Sequence, residues 1–469
     1  MNRRDFLANS VLAAGALAAR SAFAAPAQYS VTVRADQPLG LIAPDFTGLG
    51  YEISSVSRPG LLSRSNQVYV QLVRTLGTRG VIRIGGNTAD YAKYSPNAAA
   101  VSSARATVVN DAVLKDLGGF LEATGWKLIW ALDLGQGTEA DAIAEARIIT
   151  SIAGDRLLAF EIGNEPDLFA RAKHRKPEYG YEDWLAEYRR YKAALRKEFP
   201  RIPFAGPDAA IRTEWVTRFA ADEGKASVLL THHYYREGQN PSSSIEKLLG
   251  VDPKLQTQLT ALKAASEACG VPYRICEVNS FSGGGRPGVS DTLAGALWVL
   301  DYMFTLAVNG CAGVNMETGV NHLDFISSYS PIGDDEHGHH SAKPEYYGML
   351  AFSLAAKGQL LAVESDANSP EIKTYATQSS PGALALTLIN KGASAPVITV
   401  NLGEHTKAKQ ASLIRLSGPA IDSKTGIKLG GAEVAPDGTW KAAGTEVLRV
   451  KSGQLAITLP PYSAAVVHL

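Results

Sequence analysis

Cysteine is scarce in this 469-residue chain: Cys269, Cys276 and Cys311 are the whole set. Three scattered thiols exclude a disulfide-built scaffold, and their spacing matches no zinc pattern. Cys269 and Cys276 could bridge in an oxidising compartment; buried free thiols are the preferred reading. Net charge is missing as well, with 46 basic against 46 acidic residues. No basic stripe runs along the chain, so a nucleic-acid partner is excluded. No apolar run reaches the length that spans a bilayer, so the mature protein is expected to be soluble, without a membrane partner. Repeats, low-complexity tracts and long linkers are also absent.

What is present is an ordinary globular composition, 45% hydrophobic and 20% charged. The length suggests two or three units, or one large barrel with an appendage. Residues 1–25 differ from the rest. "MNRRDFLANSVLAAGALAARSAFA" has the pair Arg3-Arg4, a short Ala-rich apolar run and an A-x-A site at Ala22-Phe23-Ala24. The pattern is that of a twin-arginine export signal, the alternative being a general secretory signal. Both place the protein in the periplasm or outside the cell. Removal of Arg3, Arg4, Arg20 and Asp5 with this segment leaves a slightly acidic chain.

From about residue 46, short apolar runs alternate with helical stretches. The runs are "FTGLGYEIS", "GVIRIGG", "KLIWALDLG", "LLAFEIGNE", "PFAGPD", "SVLLTHHYY", "YRICEVNS" and "GCAGVNMETG". Between them, "EDWLAEYRRYKAALRKEF" repeats Trp184, Tyr188, Tyr191 and Leu195 at i, i+4, i+7 and i+11, one face of a helix. Continuous apolar strands covered by amphipathic helices imply a parallel sheet, and eight such units fit a (β/α)8 TIM barrel over 46–358. A doubly wound sheet is disfavoured because "GLGYEIS" lacks the glycine spacing of a phosphate turn. Residues 359–469 change texture to short alternating strands broken by Gly, Pro and Asn, an antiparallel β-sandwich. Strand-like residues 26–45 are expected to cross over and complete that second domain.

The acids stand where barrel chemistry is done. In this fold the active site lies at the C-terminal ends of the strands. Glu165 follows the fourth strand and Glu277 ends the seventh, so both face one mouth. Glycosidic cleavage needs two such carboxyls, one protonated to serve the leaving oxygen and one ionised. Glu161 shares a face with Glu165 but lies deeper, and is expected to be a structural partner for a basic core residue, with Arg83 the candidate.

Asn-Glu-Pro after strand four with a second Glu ending strand seven is the pattern of the large clan of retaining barrel glycosidases. More narrowly, the chain resembles glycoside hydrolase family 79, which holds bacterial β-glucuronidases and heparanases. The resemblance rests on "RIGGNTADY", "EIGNEPDLF", "THHYY", "EVNSFSGGGRPGVSDTLAGALW" and "SYSPIG" followed by "KPEYYGML", in order from about residue 45 to 350. It implies a retaining β-glucuronidase with Glu165 as general acid/base and Glu277 as nucleophile, about 5–5.5 Å apart. It implies further that Asn164 holds the sugar 2-OH and that Tyr234 hydrogen-bonds Glu277. The neighbouring His232, His233 and Tyr235 are expected either to pack or to support the site residues from behind, and the histidines are not read as a metal site. Glu52 either binds sugar hydroxyls near O3 or O4 or is structural. In the family's glucuronidases a tyrosine and a glycine amide hold the C6 carboxylate; here Ser282 replaces that tyrosine, with Gly284 as the amide and Tyr329 as a second tyrosine of the pocket. Ser282 could bind through a water, or the pocket could prefer a neutral uronic ester. The alternatives are a β-glucosidase, β-xylosidase or disaccharide-releasing glycosidase, and a carbohydrate-binding protein without catalysis.

Two further clusters complete the reading. Arg171, Lys173, His174, Arg175 and Lys176 form a basic loop near the site that could contact an acidic aglycone. "DDEHGHH" at 334–340 is read as a solvated loop. Retaining chemistry needs no metal, so neither metal nor cofactor is expected. The expected partner is a glycan or glucuronide substrate, and the protein is expected to be a monomer.

Overall fold

Among the described residues, eight short parallel strands alternate with eight long helices between Gly48 and Ala355. A computed structural model describes residues 27–103, 106–319, 327–335, 338–367, 369–380, 383–403 and 407–469. The export segment, residues 1–25, lies outside the described residues. The strands are Gly48–Glu52, Val81–Gly85, Lys127–Leu132, Leu157–Ile162, Ala205–Ala209, Leu229–Gly238, Tyr273–Ser282 and Val314–Glu317. They coincide with the eight apolar runs of the sequence. Neighbours in chain order pair in parallel, and the eighth returns to the first with Met316 opposite Leu49. Between the fourth and fifth strands the ladder narrows to one bridge, Phe160 to Phe204. The result is a nearly closed TIM barrel.

The helices wrap the barrel for the reason their periodicity gives. In Tyr181–Glu198 the stripe Trp184, Tyr188, Tyr191 and Leu195 is buried. Burying each of these side chains contributes roughly 1.5–3 kcal/mol or somewhat more for the larger rings. The helix Glu139–Ala153 begins at a capping box in which Thr138 and Asp141 satisfy each other's backbone N–H groups. Trp184 packs on Tyr188, Trp215 and Phe219, tying this helix to the next one, Thr213–Asp222.

The second sheet carries strands Gln410–Ser417, Ser463–His468, Ala383–Asn390, Ile372–Ser380, Gly358–Ser365, Gln28–Ile42, Val397–Asn401 and Gln454–Thr458 along one hydrogen-bonded path. Leu413 near one end of that path and Leu455 and Ile457 at the other share a single apolar core, so the sheet folds over on itself. Its pairs are antiparallel except one. The N-terminal strand joins Gly358–Ser365 antiparallel and Val397–Asn401 in parallel, which inserts it between them, third from one end of the path. All three cysteines are free thiols, with Cys276 and Cys311 buried and Cys269 partly so. No helix among the described residues is long and apolar enough to cross a membrane.

Candidate active site

A cavity of about 1,020 Å³ opens at the C-terminal ends of the strands. Its lining includes every residue singled out from the sequence: Glu52, Asn164, Glu165, Tyr234, Glu277, Ser282, Gly284 and Tyr329. One oxygen of Glu165 and one of Glu277 come within 4.8 Å of each other. Glu165 stands in the left-handed region, φ 50°, where Pro166 starts a short 3-10 turn. This turn lifts its carboxyl from the strand end into the mouth.

Arg83 organises the floor. It is fully buried on the second strand, and its Nε donates to Glu161 at 3.1 Å, as expected from the sequence. Its reach is wider, however. Nη1 donates to Glu277 at 2.8 Å, and Nη2 donates to Asn164 Oδ1 at 2.8 Å and to Asp208. Gly85 makes this possible, because a Cβ there would meet the guanidinium carbon at 2.4 Å. With its carbonyl oxygen taken by Arg83, the Asn164 side chain leaves its NH₂ as donor toward the cavity.

Glu277 accepts a second hydrogen bond, 2.9 Å from the Tyr235 hydroxyl. This corrects the sequence reading, which gave that contact to Tyr234. The Tyr234 hydroxyl instead donates to Asp252 at 2.6 Å, and its ring stacks on Tyr302. Side chains alternate along a strand, and the sixth strand pairs with the seventh through a register shift between His232 and His233. His233 and Tyr235 therefore share the inward face, and Tyr234 points away from Glu277.

Of the two readings open for His233, packing or support of the site residues, its contacts agree with support. Nδ1 lies 3.0 Å from Glu165 and Nε2 lies 2.8 Å from Asp208. Burial would lower the imidazole's pKa, but the charges of Asp208 and Glu277 and the hydrogen bonds to Asp208 and Glu165 raise it well above the ordinary range. Asp208 is raised by burial yet held below the usual carboxylate range by Arg83 and His233. Glu161 is pushed up to about 7 by burial and the charge of Asp208, against Arg83. Glu165 is raised by burial and by Glu277, with His233 opposing. His232 is structural: burial lowers it to about 4, and Gln258 and Thr213 contact its ring nitrogens.

The remaining residues ring the mouth. Glu52 accepts from the backbone N–H groups of Asn87 and Thr88 and from the Thr88 hydroxyl, and burial with the charge of Glu277 raises it to about 7. Tyr329 faces Tyr235, with ring centres 6.3 Å apart. Gly284, at φ 90°, turns the loop after the seventh strand. Of the basic loop, Arg171 and His174 line the cavity, whereas Arg175 turns away to Glu187 and lies over Phe169 and Tyr179. In "DDEHGHH", His339 pairs with Asp335 and His340 packs edge-on against Tyr69; Glu336 and His337 lie outside the described residues.

Two donor groups have spacing that would suit a cation: Glu165 with His233 and Glu277, and Glu161 with Asp208 and Cys276. The Arg83 guanidinium already sits against Glu161, Asp208 and Glu277, supplying positive charge to both groups. Sequence reasoning missed Asp208 and Glu317. Both end barrel strands, the fifth and eighth, and that position was the available signal.

No family model matches the chain. Over 348 residues it is 27% identical to a β-glucuronidase of Aspergillus niger, spanning 66% of this chain and 62% of that protein's length. A β-glucuronidase of Neurospora crassa is 26% identical over 408 residues, 74% of this chain and 69% of its own. Among solved structures, a 4-O-α-L-rhamnosyl-β-D-glucuronidase from Fusarium oxysporum superposes with a TM-score of 0.74 at 18% identity, over 94% of this chain and all of that one. A family 51 α-L-arabinofuranosidase from Thermotoga petrophila gives 0.69 at 13% identity over the same shares. The chain is thus similar in sequence to fungal β-glucuronidases, in keeping with the resemblance carried by its motifs, and shares the barrel-and-sheet fold of these enzymes.

Proposed function

We propose that the protein is a retaining glycoside hydrolase that removes β-linked glucuronic acid by double displacement. The observation that carries the reading is the pair Glu165 and Glu277, with oxygens within 4.8 Å and opposite surroundings. A pair that close leaves little room for a water between acid and sugar, which favours attack by a carboxylate. Glu277 accepts hydrogen bonds from the Arg83 guanidinium and the Tyr235 hydroxyl, which fix the carboxylate in place for attack on an anomeric carbon. Burial and the Glu277 charge raise the Glu165 carboxyl, against His233, which favours its role as proton donor to the leaving oxygen. Esterification of Glu277 removes that charge, so Glu165 becomes more acidic and takes a proton from the incoming water.

Supporting the sugar assignment are the two β-glucuronidase relatives and the cluster of Ser282, Gly284 and Tyr329 at the cavity wall. The cavity exceeds one sugar ring and leaves room for an aglycone beside Arg171 and His174. Export through a twin-arginine route belongs to the same proposal, carried by Arg3-Arg4 and the A-x-A site. The test is hydrolysis of paired chromogenic β-glucuronide and β-glucoside by the purified protein, with Glu165→Ala and Glu277→Ala alongside. Preference for the glucuronide, lost in both variants, supports the reading. Preference for the glucoside overturns the uronic-acid part.

A further inference from the structure

Glu317 ends the eighth barrel strand and lines the cavity between Glu52 and Glu277, yet the catalytic scheme gives it no task. It is 3% exposed, and its Oε2 has no hydrogen-bond partner. A buried polar atom without a partner is rare and costs about 1–3 kcal/mol, more when it carries charge, so this surrounding disfavours the ionised form of the carboxyl. The backbone around it is shaped to keep it there. A Cβ at Gly50 would stand 2.7 Å from Oε2, so glycine clears the space the carboxyl fills. Asn279 Nδ2 lies 3.2 Å from the Glu317 carbonyl and 3.3 Å from that of Tyr329, fixing the strand end beside the tyrosine.

We propose that Glu317 is a specificity-determining residue, a neutral carboxylic acid that donates a hydrogen bond to the carboxylate of a bound uronic acid. The inference rests on the glucuronidase reading and deepens it. Six carboxyls line the cavity, Glu52, Asp90, Glu165, Glu237, Glu277 and Glu317, and a uronate adds a further negative group. Such a site accepts an anion only if some of its acids are neutral. A protonated carboxyl has a donor that a carboxylate lacks. The groups that face Glu317 are the acids Glu52 and Glu277, the cations Arg83 and His233, and the phenols Tyr51, Tyr235 and Tyr329. Arg83 is paired with Glu161, Asp208 and Glu277, and His233 with Glu165 and Asp208, so neither pairs with Glu317, and their charges oppose its rise only from a distance. Burial and the charges of Glu277 and Glu52 raise its pKa well above the ordinary carboxyl range. The proton supplies the donor that the family pattern obtains from a tyrosine and that Ser282 is too short to provide.

The experiment measures KM for aryl β-glucuronide and β-glucoside from pH 5 to 8, with calorimetric binding of free glucuronic acid at both ends of the range. Wild type, Glu317→Gln, Glu317→Leu and Glu52→Gln are compared, each checked for folding by its thermal melt. One proton linked to binding makes the glucuronide KM rise roughly tenfold per pH unit above the pKa of the group, with no such rise for the glucoside. Glu317→Gln keeps an N–H donor but cannot titrate, so its KM loses this slope, whereas Glu52→Gln retains it. Glu317→Leu raises the glucuronide KM at pH 5 at least tenfold more than the glucoside KM. A wild-type slope in Glu317→Gln, or equal weakening of both sugars in Glu317→Leu, overturns the inference while leaving the glucuronidase reading intact. A wild type that prefers glucoside and binds no glucuronic acid overturns both.

Discussion

Replacement of Arg83 by methionine tests the charge network that underlies the site. The substitution is close in length and apolar, so it removes charge and five N–H donors with little change in packing. It leaves Glu161, Asp208 and Glu277 without their shared cation, all three less than a tenth exposed. Removing one partner of a buried ion pair costs about 3–5 kcal/mol. For a domain of this size that corresponds, at about 2 °C per kcal/mol, to a fall in Tm of about 6–10 °C. The loss must depend on pH in one direction. In the wild type Asp208 is held below its ordinary value, so its contribution is present above the unfolded pKa and fades only as pH falls through the folded one. Glu161, raised to about 7, stabilises fully below its ordinary 4.5 and ceases to do so as pH rises through 7. Without Arg83 both carboxyls are pushed upward, Asp208 loses its favourable window, and the variant weakens as pH rises. Scanning calorimetry at pH 5 and pH 8 is the assay, and the deficit must be larger at pH 8. A variant melting within about 2 °C of wild type at pH 8, or one whose deficit is larger at pH 5, refutes the reasoning.

Further outcomes follow from individual contacts. Tyr235→Phe removes a hydrogen bond to a charged group, worth about 1.5–3 kcal/mol, and should lower kcat roughly 10- to 150-fold, whereas Tyr234→Phe should lower it far less; steady-state kinetics of the two decides. His233→Asn removes the group that opposes the raised pKa of Glu165, so the alkaline limb of the kcat/KM profile should move to higher pH; a limb that stays in place or moves down contradicts the role. Glu165→Gln should lose about 10²–10⁴ in kcat on poor leaving groups and much less on dinitrophenyl glycosides, read from a leaving-group series. Loss independent of the leaving group would remove the proton-donor assignment.

The barrel was legible because each strand is a continuous apolar run, buried on both faces, and each long helix carries a stripe such as Trp184, Tyr188, Tyr191 and Leu195. Pairing of Arg83 with Glu161 could be read for a similar reason: an acid deep in a barrel strand needs a cation, and the second strand offers one. Tyr235 was missed because the register shift between His232 and His233 leaves no mark in composition. Alternation counted backward from Glu277 across the pairing, to His233 and then Tyr235, gives the face correctly once the register is known. Asp208 and Glu317 were passed over although both lie at the C-terminal ends of barrel strands. Their neighbours Gly-Pro and Thr-Gly read as turns, and only the closed ring brings the fifth and eighth strand ends to the same mouth.

The central claim is that Glu277 attacks the sugar while Glu165 protonates the leaving oxygen. Proton NMR of the first-formed sugar during hydrolysis of an aryl β-glucuronide tests it most directly. The account predicts that the β-anomer appears first and only later mutarotates. Initial release of the α-anomer would contradict it, because the paired carboxyls would then be activating water rather than forming a covalent intermediate.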